Sequence, residues 1–176
     1  MRLVDAPRCP YCARVRLVLV EKGIDYEPVV IDLSDRPAWV YELNRSGRVP
    51  ILEEDEFVLP ESDMIMAYLE ERYPEPALLN GDLRKRALAR LRIHCFDASL
   101  GDDYYAFRRG DENELAERLE TLDVGDSLYS DLAYVPWVIR ARDMLGVQLP
   151  ERLERWLDRL AERPSVAAEI ELVRSL

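Results

Sequence analysis

The chain opens on a short apolar run, Arg2 to Val4, and then changes period. From Pro10 onward, ARVRLVLVEKG sets Val15, Val18 and Leu19 on one helical face and Leu17 and Val20 on another, which predicts a helix covered on two sides. Gly23 follows where a left-handed residue closes a helix, and IDYEPVVIDL has the β-branched content of a buried strand. Strand, helix and strand in that order make a parallel crossover unit. Pro37 opens another helix, PAWVYELN, which stops at the turn Ser46-Gly47-Arg48. PILEED and EFVL, hinged by the acidic turn from Glu53 to Glu56, read as an antiparallel hairpin. Ser62 then reads as the N-cap of DMIMAYLEERY, which Pro74 ends, so the order is βαβαββα.

PEPALLNGD, with two prolines and a glycine, marks a boundary near residues 77 to 82 and predicts two domains, 1–77 and 83–176. No strand pattern follows it. Leu83, Ala87, Leu91, Cys95 and Ala98 repeat at helical spacing and predict one long amphipathic helix that fades at Gly101. Leu115, Leu119 and Leu122 mark a shorter helix. A third runs from about Ser130 to Leu145, with Pro136 expected to bend or locally break it. A fourth, after Pro150, aligns Leu153, Trp156, Leu157 and Leu160 on one stripe. The predicted fold class is an α/β domain followed by an all-α bundle.

Charge narrows the function. With 35 acidic against 24 basic residues, the net charge of −11 repels nucleic acid from the average surface. Lys22 and Lys85 are the only lysines, which reads as composition rather than function. No run approaches the roughly 20 apolar residues of a membrane span, and Asp5, Arg8, Arg14 and Arg16 interrupt the first 20 positions, so the expectation is a soluble, unprocessed protein. Three cysteines, Cys9, Cys12 and Cys95, fit a reducing compartment and predict a cytoplasmic location.

Three short stretches carry candidate chemistry. If a helix starts at Pro10, Cys9 is its N-cap, where unpaired N–H groups and the positive end of the helix dipole favour a thiolate. Cys12 lies one turn further on and is placed to resolve a mixed disulfide on Cys9. A zinc site would need more ligands than the single histidine, His94, supplies, so no metal is expected; inert buried thiols are the other reading. Val49-Pro50 enters a strand either as a trans proline that merely starts it, or as a cis bond that turns the Val49 backbone outward to meet an extended peptide. Glu61-Ser62 is either a solvated charge beside a plain helix cap, or an ammonium site beside an anion site, which together fit an amino-acid zwitterion. Thiolate, outward peptide and zwitterion site together suit a small thiol peptide such as glutathione.

On these residues a resemblance rests. CPYC, DRPAWVYELNRSGRVPILEED and PESDMIMAYLEERYPEPALL look like a glutathione transferase, of the cysteine-dependent omega-like and dehydroascorbate-reductase-like classes. YSDLAYVPWVIRARDMLG and LPERLERWLDRLAERPSV are similar to the last helices of that family's all-α domain. The resemblance implies a thioredoxin-like domain that binds glutathione as co-substrate, with a second, electrophilic or disulfide substrate in the cleft before the helical domain. It implies Cys9 as nucleophile and Cys12 as its partner, Val49 with cis Pro50 on the cysteinyl backbone of glutathione, and Glu61 and Ser62 on the γ-glutamyl end. Arg36 stands where omega-like proteins carry a lysine near the glycyl carboxylate, a swap that keeps charge and changes geometry. A homodimer, no nucleic acid and no membrane partner complete the expectation.

Departures from the family pattern are informative. Omega-like proteins usually carry one active-site cysteine, so Cys12 tilts the expectation towards disulfide reduction. Asn44-Arg45 replaces the usual Asn-Pro. The hydroxyl of the family's capping box falls on Leu128, with Ser127 one residue off, which predicts a weakened start to the third bundle helix. The chain is also short where the second-substrate pocket is normally walled, which disfavours bulky substrates. Tyr104, Tyr105 and Phe107 would either roof that pocket or pack in the core; Tyr11 would modulate access; His94 and Cys95 read as core or interface. The expected function is a glutathione-dependent thiol transferase or disulfide reductase; the alternative is a non-catalytic binding protein of the stringent starvation protein A type, a group that generally lacks the cysteine.

Overall fold

The computed structural model describes all 176 residues, which pack as two compact units, Met1–Ala77 and Leu78–Ser175, Leu176 grouping with the first. The first unit runs β1 (Arg2–Asp5), α1 (Pro10–Glu21), β2 (Glu27–Val30), α2 (Ala38–Leu43), β3 (Ile51–Glu54), β4 (Phe57–Pro60) and α3 (Ser62–Arg72). Its sheet has the order β2-β1-β3-β4, with β1 and β2 parallel and the other pairs antiparallel. This is the predicted βαβαββα chain. Two local readings change. β2 is an exposed edge strand, with Glu27, Pro28 and Val30 facing solvent; β-branched content marked a strand but not its burial. Ser62 is the first helical residue rather than the N-cap, because β4 reaches Pro60 and the chain must turn within one residue. Glu61 makes that turn at φ 70°, a conformation few non-glycine residues adopt.

Helix α1 is buried along most of its length, including three cations that composition alone would place outside. Arg16 pairs with Asp5 of β1 at 2.5 Å. Arg14 Nη1 reaches Ser62 Oγ at 3.5 Å, at the start of α3. Lys22 Nζ pairs with Glu70 near the end of α3 at 2.7 Å and donates to the carbonyls of Tyr73 and Pro76 at 2.7 and 3.0 Å. Start meets start and end meets end, so α1 and α3 lie parallel, side by side. Their N-termini share one end of the unit.

The second unit is all helix: α4 (Leu83–Phe96), a π-helical stretch (Asp97–Gly101), α5 (Asp102–Arg109), α6 (Leu115–Thr121), α7 (Leu128–Asp143), α8 (Glu151–Ala161) and α9 (Pro164–Arg174). Gly101 does not stop the first helix as its sequence suggests. The backbone loosens to π geometry there and continues to Arg109, where Gly110 at φ 76° ends it. The predicted fourth helix is two, because Pro164 restarts the helix at its first position. Helix α7 runs unbroken through Pro136. It is buried on nearly every face and held by packing rather than propensity, and Arg140 donates to the Pro136 carbonyl at 3.1 Å. Arg140 also pairs with Glu169 of α9 at 2.8 Å, both side chains being buried. Tyr104 and Tyr105 pack edge-on to Trp137, centroids 5.2 and 5.9 Å away; Tyr104 is buried in the core of this unit and Tyr105 half-buried at its edge. No helix is long and apolar enough to cross a membrane.

The start of α7 is anchored without the hydroxyl box. Ser127 is the N-cap, and its side chain makes no capping hydrogen bond. Instead Asp131 turns back, and its carboxylate accepts the Gly125 N–H at 2.9 Å. Burial raises the Asp131 pKa above the ordinary carboxyl value, against the lowering effect of that N–H. A raised folded-state value means the native state binds the proton more tightly than the unfolded chain. This contribution to stability is therefore full below the unfolded value of about 3.9 and is lost as pH rises through the folded one. Asp131→Asn, which keeps an acceptor for Gly125 and removes the charge, is expected to gain on the parent in unfolding free energy as pH rises from about 4 towards neutrality. Asp131→Ala is expected to lose about 1–2 kcal/mol in urea titrations, because the Gly125 N–H loses its partner.

Candidate functional site

Cys9 caps α1 with extended backbone, φ −83° and ψ 118°, and its carbonyl accepts the Ala13 N–H at 3.1 Å. Pro10, at the first helical position, has no N–H to contribute, so the donors at this tip belong to the residues after it. Cys9 is 6% exposed and Cys12 fully buried, and both are free thiols. They join an apolar cluster with Val4, Ala6, Ile31, Val40, Val49 and Ile51, against which Tyr11 and Trp39 also pack. The Cys12 pKa is raised well above an ordinary thiol's: first by burial, then by the hydrogen bond to Cys9 and the charges of Cys9 and Asp5, with only a contact to the Ala6 backbone opposing. Cys12 thus holds its proton and can donate it in a hydrogen bond to the Cys9 sulfur. The two thiols are unequal.

The Val49-Pro50 peptide is cis and immediately precedes β3. Of the two readings of this dipeptide, the cis one holds. The Val49 carbonyl lies 3.8 Å from Cys9 Sγ, within reach of a thiol hydrogen bond, and no hydrogen bond inside the protein uses the Val49 N–H. Cys9 and Val49, 40 positions apart in sequence, therefore share one spot.

Ser62 is buried, Glu61 beside it is exposed, and neither side chain caps α3. Because α1 and α3 are parallel, the N-terminal poles carrying Cys9 and Ser62 adjoin, and their partial positive charges act on the same volume. Arg14 joins the two helices there: its guanidinium donates to Ser62 Oγ and lies 5.2 Å above the centre of the Tyr11 ring. The structure thus gathers Cys9, Cys12 and Val49 at one point and Glu61 and Ser62 on the neighbouring helix tip. Arg36 is exposed on the segment between β2 and α2, and no hydrogen bond or ion pair ties it to the others. His94 and Cys95 are exposed on α4, outside the core. Arg14 is the residue sequence reasoning missed. The available signal was a charge embedded in the apolar face of ARVRLVLV, which only a buried partner makes tolerable.

Comparison with known proteins identifies the family. Residues 3–77 match the family described as Glutathione S-transferase, N-terminal domain. Pyrimidodiazepine synthase of Drosophila melanogaster is 34% identical, over 96% of this chain and 79% of its own length. Glutathione S-transferase DHAR3 of Arabidopsis thaliana is 43% identical across 40% of this chain, a segment spanning only 27% of that protein. A glutathione S-transferase from Methylobacterium radiotolerans, solved in complex with glutathione sulfonate, superposes with a TM-score of 0.79 at 26% identity, over 96% of this chain and 93% of that one. A four-stranded thioredoxin-like sheet with its helices, followed by a helical bundle, is the fold of this superfamily. The chain belongs to the glutathione S-transferase family.

The inequality of the thiols has a direct readout. At neutral pH, alkylation of the folded protein by iodoacetamide followed by peptide mapping is expected to label the exposed Cys95 readily and Cys12 last, because Cys12 is both buried and held protonated. Labelling of Cys12 ahead of Cys95 would contradict the site geometry.

Proposed function

We propose that this protein is a glutathione-dependent thiol transferase or disulfide reductase that works through a mixed disulfide on Cys9. The observation that carries the reading is the adjacency of the two helix tips: one holds a sulfur at its N-cap, the other a buried hydroxyl, with the cis Val49-Pro50 peptide against the sulfur. The first unit then serves as the glutathione-binding domain and residues 83–176 as a shortened all-α domain. Glutathione would lie with its cysteinyl backbone on the unused Val49 N–H and its γ-glutamyl carboxylate on Ser62 and the first amides of α3. Its ammonium would lie towards Glu61, and its glycyl carboxylate within reach of the flexible Arg36 side chain.

The chemistry balances in two displacements. The Cys9 thiolate attacks the glutathionyl sulfur of a mixed disulfide; the new S–S bond forms as the old one breaks, and the partner leaves as a thiolate that takes up a proton. A second glutathione thiolate then attacks the same sulfur, giving glutathione disulfide and restoring Cys9. Cys12 offers the other exit, attacking Cys9 and expelling glutathione. That exit first requires Cys12 to lose a proton its burial holds tightly, so the glutathione exit dominates at neutral pH.

A homodimer belongs to this reading as what the family resemblance implies, and three free thiols suit a reducing compartment such as the cytoplasm. Two measurements test the reading. In a coupled assay with a glutathione mixed disulfide, Cys9→Ser is expected to reduce turnover to the uncatalysed rate, while Cys12→Ser keeps most of it. Unchanged turnover in Cys9→Ser would remove Cys9 from the mechanism, and a parent no faster than the uncatalysed rate would return the protein to the non-catalytic, stringent-starvation-protein-like class. Separately, glutathione at about 100 times its Kd is expected to add about 2.7 kcal/mol to stability, read as a rise in Tm that buffer and amino acids alone do not produce.

A further inference from the structure

We propose that Arg14 is a positioning residue that fixes the polarity of the Ser62 hydroxyl, and so makes the α3 tip select a carboxylate. This rests on the glutathione reading above and adds a residue to it.

A guanidinium has only donors, whereas a serine hydroxyl can donate one hydrogen bond and accept two. Arg14 Nη1 sits 3.5 Å from Ser62 Oγ, both side chains being buried. Across that contact the serine oxygen has to accept. Its own hydrogen is then directed away from Arg14, and no acceptor inside the protein takes it. Unconstrained, the same hydroxyl could rotate to accept from an ammonium as readily as donate to a carboxylate. Arg14 occupies one of the two lone pairs and opposes an ammonium at the other by its cation, since that ammonium would face a buried positive charge. The carboxylate and the ammonium of a γ-glutamyl group are thereby told apart: the carboxylate goes to Ser62 and the α3 amides, and the ammonium to the exposed Glu61.

Arg14 is itself held for the task. It leaves α1 two residues beyond Cys12, its guanidinium rests over the Tyr11 ring at 5.2 Å, and the Lys22–Glu70 pair fixes the far ends of the same two helices. A side chain so confined cannot follow Ser62 if the hydroxyl turns, which makes it a fixed reference for hydroxyl orientation.

The test measures, by isothermal titration, the ratio of Kd values for glutathione and for an analogue lacking the γ-glutamyl α-carboxylate. A ratio taken within one variant cancels any loss of folded protein. In the parent, glutathione is expected to bind at least tenfold more tightly, the scale of a hydrogen bond to a charged group. Arg14→Met and Ser62→Ala are each expected to shrink that preference to a few-fold, Arg14→Lys to restore part of it, and Arg14→Met combined with Ser62→Ala to lower it no further than either alone. Ser62→Ala is small enough to fold even where Arg14→Met does not. Full preference retained in Ser62→Ala, or in a folded Arg14→Met, overturns the role of Arg14 while leaving glutathione binding intact. Absence of glutathione binding by the parent overturns the functional reading and this inference together.

Discussion

The parallel pairing of α1 and α3 is the constraint on which the rest of the first unit depends, and buried cations enforce it. Lys22 shows how. Its ammonium has three hydrogens, and they meet a Glu70 carboxylate oxygen and the carbonyls of Tyr73 and Pro76. A buried ion pair of this kind adds little net stability, because desolvation offsets most of the attraction. It does penalise every arrangement that leaves the charge without partners. Sliding α1 along α3 would strand both Lys22 and Arg14, so the helices have one acceptable register.

That register decides where chemistry is available. Parallel neighbours place both N-terminal poles at the same end, and an anion there feels two helix tips instead of one. Cys9 and Ser62 are 53 positions apart in sequence, yet the clamp sets the N-termini of their helices at the same end of the unit. Cys12 is held protonated first by depth, and then by its neighbours Cys9 and Asp5. Cys9 is the cap and retains a sliver of exposure, whereas Cys12, one turn inside, faces apolar side chains and the Asp5 carboxylate. One motif therefore holds a thiol at the helix cap and a protonated thiol one turn inside it.

Element order was legible in the sequence because it rests on period and on strong punctuation: Gly23, Pro37, Pro74 and Gly146 all fall at breaks between elements. The cysteine cap was legible for the same reason, since Pro10 fixes where α1 must start. What sequence hid was burial of charge. Arg14, Arg16 and Lys22 read as ordinary solvated residues, because their partners, Ser62, Asp5 and Glu70, become visible only when strands and helices are assembled. The start of α7 was misjudged for a related reason. A capping box was sought in the hydroxyls, while the fold uses Asp131 in reverse, reaching back to Gly125. Gly101 misled because a helix can absorb a glycine by widening to π geometry when its flanks, Leu100 and Tyr104, are buried.

The same burial bears on why a dithiol motif need not act as a dithiol. Resolution by Cys12 requires a thiolate on a sulfur with no solvent exposure, in a pocket already carrying the Asp5 charge. Burial and the Asp5 charge, which keep the proton on Cys12, also make it a poor nucleophile. A thiol arriving from solvent faces no such barrier, since it ionises outside and meets two positive helix tips on entry. On the mixed-disulfide reading proposed above, the geometry would separate two roles that the letters CPYC leave merged: Cys12 as hydrogen-bond donor to the sulfur in front of it, and a small thiol from solution as the group that completes the exchange.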